Sequence, residues 1–208
     1  MVGVGTKLLE DFSKQLQIDD PEERRMISGV TWDQYEALLE DFEDRPGYRI
    51  AFLDGMLEIM SPSRRHEISS ENIGRLLEVY FEEMRIRFWG LGSTTFRRAE
   101  RAGGAEADKS YNLGTEKEFP DLVIEVIVTS GGVDKLEIYR RLGVTEVWLF
   151  QDDSFALYGL RDEAYEQISA SELLPDLDLA LLVDYATRSD PLEVLIEYRQ
   201  RVRGTPLT

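Results

Sequence analysis

The feature that most constrains this chain is an apolar run at residues 122–128, interrupted once by an acid, Glu125. The run consists of β-branched and aliphatic residues, which is typical of a central strand covered on both faces. A short helical segment follows from about Val133 to Leu142, then Gly143 at an expected C-cap, then a second apolar run at 144–150. A strand, a short helix and another strand predict a right-handed parallel crossover. The chain is therefore predicted to be an α/β protein.

Other segments carry patterns that predict further helices and strands. Thr31 is a suitable N-cap for a helix over 32–42, and a longer helix is predicted through 73–84. Asp54-Gly55, between two apolar stretches, is the strongest hairpin signal in the chain. The remaining predicted elements are strands at 88–96, 108–113, 155–160 and 165–168, a loop at 101–104 and a closing helix at 191–202.

Length and composition predict one domain with an extension. The 208 residues, of which 42% are hydrophobic and 31% charged, are enough to bury a sizeable core. Residues 1–29 carry scattered charges, so we expect an N-terminal helical extension, a domain over 30–202 and a C-terminal tail over 203–208. There is no apolar run of about 20 residues and no export signal at the start, so we expect a cytoplasmic protein without membrane contact.

Residue counts narrow the chemistry that this chain can carry out. The absence of cysteine excludes disulfides, thiolate zinc sites and cysteine nucleophiles. The single histidine, His66, excludes a three-histidine metal site and leaves little room for a Ser-His-Asp hydrolase. Any metal must therefore be held by oxygen ligands, which favours magnesium, manganese or calcium. With 24 basic and 41 acidic residues, a net charge of -17, a nucleic-acid site would have to be local.

Two acids share one face of the predicted central strand. Alternation along the strand places Asp121 and Glu125 on the same side. A buried ionised carboxylate is costly unless a cation, an ion-pair partner or hydrogen bonds compensate for the loss of water. Glu125 is therefore either a metal ligand or half of a structural ion pair with an arginine such as Arg75 or Arg97. Spacing alone does not choose between these alternatives.

A third acid and a lysine complete a catalytic pattern. Asp108 begins a predicted strand seventeen residues before Glu125, and Lys135 lies in the first turn of the predicted crossover helix. A lysine is unfavourable at the positive end of a helix dipole unless it reaches carboxylates or a phosphate; a solvated surface lysine is the alternative. Two acids and a lysine at a sheet edge suit phosphodiester hydrolysis. The acids hold a divalent cation that activates water, and the lysine stabilises negative charge.

Four segments of the chain carry a family resemblance: YRIAFLDGMLEIMSPS at 48–63 with the following His66, AEADKSYNLG at 105–114, PDLVIEVIVTSGGVDKLEIYRRLGVTEVWLF at 120–150 and SELLPDLDLALL at 171–182. They resemble the Uma family of endonucleases, within the PD-(D/E)XK restriction-endonuclease-like superfamily. The resemblance covers roughly residues 30–200. It implies a restriction-endonuclease-like fold, with a central mixed β-sheet flanked by helices, and DNA cleavage that depends on Mg²⁺ or Mn²⁺.

The resemblance also implies roles for particular residues. Asp108 is similar to the first acid of the signature, although Ala107 stands where the family has proline, and Glu125 is similar to the second acid. Both are the implied metal ligands. The lysine expected two residues after Glu125 is Ile127 here, so its role passes to Lys135, as in relatives whose lysine has moved to the next helix.

Auxiliary roles follow from the same resemblance. Asp121, in the literal Pro120-Asp121 pair, is implied to be an auxiliary acid. Glu71 and His66 open the long helix, where superfamily members sometimes add a metal-site acid; otherwise His66 is a capping or surface residue. Apart from the resemblance, the marked basic cluster of the sequence supplies the candidates for contacting DNA phosphates, Arg97, Arg98 and Arg101, which are otherwise a solvated surface.

Two functions from different classes follow. The leading hypothesis is a cytoplasmic, metal-dependent DNA endonuclease that acts as a homodimer, as superfamily nucleases often do. The alternative is a catalytically inert module of the same fold that binds protein partners through its acidic surface. The displaced lysine, the missing proline and the net charge of -17 favour this alternative.

Overall fold

The structure is a computed structural model that describes residues 22–42, 47–92 and 94–204. In chain order, the helices are α1 (Trp32–Phe42), α2 (Arg64–Glu83), α3 (Lys135–Leu142), α4 (Leu179–Ala186) and α5 (Pro191–Val202). The strands are β1 (Glu23–Ser28), β2 (Arg49–Leu53), β3 (Met56–Ser61), β4 (Phe88–Gly90), β5 (Thr95–Arg98), β6 (Gly103–Glu106), β7 (Lys109–Leu113), β8 (Leu122–Val126), β9 (Glu146–Gln151), β10 (Ser154–Arg161) and β11 (Ala164–Ile168).

The described chain divides into two compact units. The first unit consists of the chain up to Arg64, together with Thr95–Glu106 and Thr129–Leu142. The second unit consists of Arg65–Thr94, Ala107–Val128 and the chain from Gly143 onward. Each unit is built on its own β-sheet.

The first unit contains a five-stranded antiparallel sheet in the order β1-β3-β2-β6-β5. β2 and β3 form the predicted hairpin, in which Asp54 and Gly55 both have the positive φ that this two-residue turn requires. α1 begins where predicted, because Thr31 and Gln34 form a reciprocal capping box. Its buried Tyr35 and Leu38 belong to the core formed with β2 and β3, and α3 contacts β2, β5 and β6.

The second unit contains a six-stranded sheet in the order β11-β10-β9-β8-β7-β4. β8 and β9 are parallel, as the crossover predicted, and the other neighbouring strands are antiparallel. The apolar stripe of α2, including Ile73 and Leu77, packs in one core with Tyr111, Ile124 and Trp148. The predicted antiparallel pair and closing helix are confirmed as β10, β11 and α5.

A buried acid fixes the chain between β11 and α4. Glu146 is 1% exposed and accepts hydrogen bonds from Trp148 Nε1, Ser171 Oγ and the backbone N–H groups of Glu172 and Leu173, at 2.6–2.9 Å. Four donors compensate for the desolvation of this carboxylate, so its burial has a structural explanation.

Several elements differ from the sequence-based expectation. The strand predicted at 88–96 is two strands, β4 and β5, in different sheets, and the loop predicted at 101–104 ends in β6. Residues 23–28 of the predicted helical extension instead form β1, because they pair with the distant strand β3 at the edge of the sheet. Residues 1–21 lie outside the described residues, as do residues 205–208 of the predicted tail.

An ion-pair network in the first unit joins the β2–β3 turn to α3. Arg141 donates to both carboxylate oxygens of Asp54, at 2.6 and 2.7 Å, and to Glu137 at 2.7 Å. Arg140 also donates to Glu137, at 2.6 and 2.8 Å. Hydrogen bonds from Arg140 and Arg141 lower the pKa of Glu137 from 4.5 to about 2.

We predict that Glu137→Gln lowers stability at neutral pH by about 1 kcal/mol and loses this deficit in acid. Because the folded pKa of Glu137 is below its ordinary value, its contribution is full above pH 4.5 and disappears as the pH falls toward 2. Urea unfolding of wild type and variant at pH 7, 4 and 2.5 measures the difference. The exposed Glu166→Gln is the control, and a deficit that stays constant across this range contradicts the prediction.

Candidate functional site

Two of the predicted acids lie at the same end of neighbouring strands. β7 and β8 pair Lys109 with Ile124 and Ser110 with Val123. Asp108 directly precedes β7, and Glu125 directly follows Ile124 on β8. Both acids are buried, at 3% and 2% exposure. The structure therefore places the two acids that the family signature indicates in the interior, at one end of the β7–β8 pair.

Contacts to both carboxylate oxygens hold Asp108 in one orientation. Its Oδ2 accepts a hydrogen bond of 2.8 Å from the backbone N–H of Val126, just beyond Glu125 on β8. Its Oδ1 lies 2.9 Å from His66 Nε2, and both side chains are buried. The hydrogen bond from Val126 reduces the cost of burying the carboxylate and fixes where its Oδ2 lies, and His66 packs against Oδ1.

His66 is an interior residue, so its assignment as a surface residue is wrong. It lies in the first turn of α2 and is 1% exposed. Its spacing from Ser70, Ile73 and Leu77 is four, seven and eleven residues, which is the spacing of one helix face. Those three residues are also buried. This continuation of the apolar stripe to His66 is the sequence signal that could have identified its burial.

Glu71 forms an ion pair with a lysine that the sequence did not single out. Lys109 Nζ lies 2.5 Å from Glu71 Oε1, and the side chain of Glu71 is 50% exposed. The Lys109 stem crosses α2 at Gly74, where a Cβ atom would lie 3.0 Å from Lys109 Cε. The lysine that directly follows Asp108 in sequence is thus already paired with an acid of α2.

Asp121 lies at the other end of β8 and closes a loop. It accepts hydrogen bonds from the backbone N–H of Leu113 at 2.8 Å and from Lys117 Nζ at 2.6 and 2.7 Å. Asp121 precedes Glu125 by four positions along the strand, which corresponds to a backbone distance of about 13 Å. The structure does not bring Asp121 together with Asp108.

The remaining candidates belong to the first unit. Lys135 is the first residue of α3 and is half-buried. Arg97 Nε lies 3.8 Å from Glu36 Oε1, with both side chains nearly half exposed, at 45% and 44%. Arg98 is half-buried and Arg101 is exposed.

Carboxylate oxygens such as those of Asp108 and Glu125 are the ligand type that small divalent cations prefer. Within residues 22–42, 47–92 and 94–204, no three His, Asp or Glu side chains are grouped as a metal cage. Magnesium does not require one, since it usually binds one or two carboxylates and keeps several waters. The chemistry of these two acids is therefore compatible with magnesium or manganese.

The described residues form a mixed α/β protein with two buried acids at one end of the β7–β8 pair. The family model Uma2, described as "Putative restriction endonuclease", matches residues 32–188, about three quarters of the chain. The chain belongs to this family, and its fold is restriction-endonuclease-like. Membership supports a nuclease-like function in general. The comparison with curated proteins gives no match. In the part of the chain that the structure describes, no helix is long and apolar enough to cross a membrane.

We predict that His66 and Asp108 are energetically coupled. His66→Ala removes the residue beside Asp108 Oδ1 and should cost about 2 kcal/mol of unfolding free energy. In an Asp108→Asn background the same substitution should cost much less, because the carboxylate that His66 contacts is already gone. Urea unfolding of the four proteins measures the coupling. Ile68→Ala, at a position on α2 that is 49% exposed, is the control. Equal costs in both backgrounds would contradict the prediction.

Proposed function

We propose that this protein is a metal-dependent DNA endonuclease that hydrolyses phosphodiester bonds, with Asp108 and Glu125 as its metal ligands. The observation that carries the proposal is that two buried acids, Asp108 directly before β7 and Glu125 on β8, lie at the same end of this strand pair in a restriction-endonuclease-like fold. A nuclease needs acids in a fixed geometry, and burial among strands provides it.

The residues of the chain prepare this site in separate ways. Asp108 is oriented by the Val126 N–H and by His66, so its oxygens need little rearrangement before they act. A magnesium or manganese ion held by the two acids would polarise the scissile phosphate and lower the pKa of a water molecule. The buried Glu125 supplies the second carboxylate from β8.

We assign the lysine role to Lys135 because of the family motif. A lysine ammonium can stabilise the negative charge that develops on the phosphate or orient the attacking water. Lys109 is the matched comparison, because it directly follows Asp108 but is bound to Glu71. Substituting each lysine in turn therefore tests which of them takes part in the reaction.

The DNA contacts and the assembly complete the proposal. Arg97, Arg98 and Arg101 are proposed to bind DNA phosphates, as a local site in a chain of net charge -17. A cytoplasmic homodimer would present two such sites to the two strands of a duplex. Light scattering measures the oligomeric state.

The proposal predicts metal-dependent cleavage that requires both acids and Lys135. Supercoiled plasmid and single-stranded DNA are incubated with Mn²⁺ or Mg²⁺ and with identically purified wild type and variants. Asp108→Asn, Glu125→Gln and Lys135→Ala should each lose at least about a hundredfold in rate, because each removes a group that stabilises the transition state.

Lys109→Ala and Asp121→Asn are the controls and should retain most of the activity, because these residues are bound to Glu71 and to the 113–121 loop. Cleavage that persists in Glu125→Gln would refute the proposed site. Loss of cleavage in Lys109→Ala but not in Lys135→Ala would transfer the lysine role to Lys109.

A catalytically inert module that binds protein partners is the second candidate. It is favoured by Ile127 at the expected lysine position, Ala107 at the expected proline position and the net charge of -17. Absence of both cleavage and Mn²⁺ binding, the latter measured by calorimetry, would support it. Affinity for DNA that falls steeply as salt rises would instead support the nuclease.

A further inference from the structure

A cluster of buried charges in the first unit contacts the loop that leads to Lys135. This cluster, the Glu58 clamp, consists of Glu22, Arg24 and Glu58. Glu58 Oε2 accepts a hydrogen bond of 2.8 Å from the backbone N–H of Val133, two residues before Lys135. The start of α3 is therefore tied to an acid on β3.

The rest of the clamp supports Glu58 and the beginning of the same loop. Arg24 Nε lies 3.4 Å from Glu58 Oε1, and Arg24 Nη2 lies 3.9 Å from Glu22 Oε1. Thr129 Oγ1 donates a hydrogen bond of 2.7 Å to Glu22 Oε1. The clamp thus binds the loop at Thr129 and at Val133, on either side of its two glycines.

The packing between clamp and loop leaves no room for a side chain at Gly132. A Cβ atom there would lie 2.3 Å from Glu58 Oε2 and 3.0 Å from Arg24 Nη1. Because real Cβ atoms do not approach other atoms at 2.3 Å, an alanine at this position would displace the Glu58 carboxylate. The loop backbone and the carboxylate are therefore in direct contact.

The energetics indicate that the clamp fixes geometry more than it adds stability. The side chains of Glu22 and Glu58 are each 3% exposed, and that of Arg24 is 20% exposed. Burying two carboxylates around one arginine has a desolvation cost that ion pairing often fails to exceed. Buried polar groups of this kind can instead select one conformation of the chain around them.

We propose that Glu58, held by Arg24, is a positioning residue for Lys135. It fixes Val133 and the preceding glycines, and so sets where α3 begins. Asp134 supports the same helix start, because its Oδ1 accepts a hydrogen bond of 3.0 Å from the Glu137 N–H. The inference rests on the proposed role of Lys135 in DNA cleavage.

The clamp draws on residues outside the part of the chain that matches the family. The match covers residues 32–188, whereas Glu22 directly precedes β1 and Arg24 lies in β1. Glu58 lies within the match but depends on Arg24 for a nearby positive charge. This chain therefore supplements the family domain with a strand that supports the lysine-bearing loop.

A double-mutant cycle between Glu58 and Lys135 tests the proposal. Glu58→Ala should lower kcat about tenfold and change KM for DNA less than about twofold, because it misplaces a reacting group and leaves the DNA contacts intact. In a Lys135→Ala background, Glu58→Ala should have no further effect, because the group that it positions is already absent. Glu58→Gln should restore most of kcat, since its side-chain oxygen can still accept from the Val133 N–H.

Two matched variants distinguish positioning from general loss of stability. Ile59→Val changes the next residue of β3, on the opposite face, and should leave kcat unchanged. Gly132→Ala alters an exposed position of the loop and should reproduce the loss of kcat while the protein stays folded. Hydrogen exchange at the Val133 amide, followed by NMR, should accelerate at least about tenfold in Glu58→Ala and stay unchanged in Ile59→Val.

The outcomes separate this inference from the proposed function. If wild type cleaves DNA and Glu58→Ala keeps its kcat, only the positioning role is overturned. The same holds if Glu58→Ala lowers kcat equally with and without Lys135. If wild type cleaves no DNA, the proposed function fails and the positioning role fails with it.

Discussion

The hydrogen bond between Asp108 and the Val126 N–H is the contact on which the candidate site depends. It joins the start of β7 to the end of β8, just past the last register pair that these strands share. The backbone N–H of Val126 lies just past the last β7–β8 residue pair, and the Asp108 side chain accepts its hydrogen bond. This bond holds Asp108 next to the residue that follows Glu125. His66 contacts the other oxygen of Asp108, so α2 also packs against this carboxylate.

Buried carboxylates recur in this protein, and their surroundings distinguish their roles. Glu146 has four hydrogen-bond donors from one short segment and its own strand, which accounts for its burial without any ligand. Glu58 is bound to a backbone amide and lies near an arginine. Asp108 combines a backbone amide, the Val126 N–H, with a neighbouring histidine, His66.

Local signals in the sequence predicted much of the fold. The β8-α3-β9 crossover was predictable because its strands are apolar runs and its helix ends at Gly143, and the Asp54-Gly55 hairpin because the turn requires those residue types. The division of 88–96 between two sheets and the pairing of β1 with β3 depend on distant partners, which local patterns do not report. The candidate site was likewise predictable only in part. The two acids were predictable from the signature, whereas the contacts of His66, Lys109 and Glu58 depend on how separate elements pack.

The charge distribution restricts how an acidic chain of this kind can approach DNA. Many of its described arginines are already bound to acids: Arg141 to Asp54 and Glu137, Arg188 to Asp184 and Glu197, and Arg199 and Arg203 to Glu83. These pairs stabilise their own units and leave few cations for phosphates. Since non-specific affinity scales with the number of phosphates neutralised, long-range attraction to DNA would be weak. Under the proposed function, recognition would then depend on short-range contacts with a few local side chains, so the local arrangement of each unit matters more here than the overall charge.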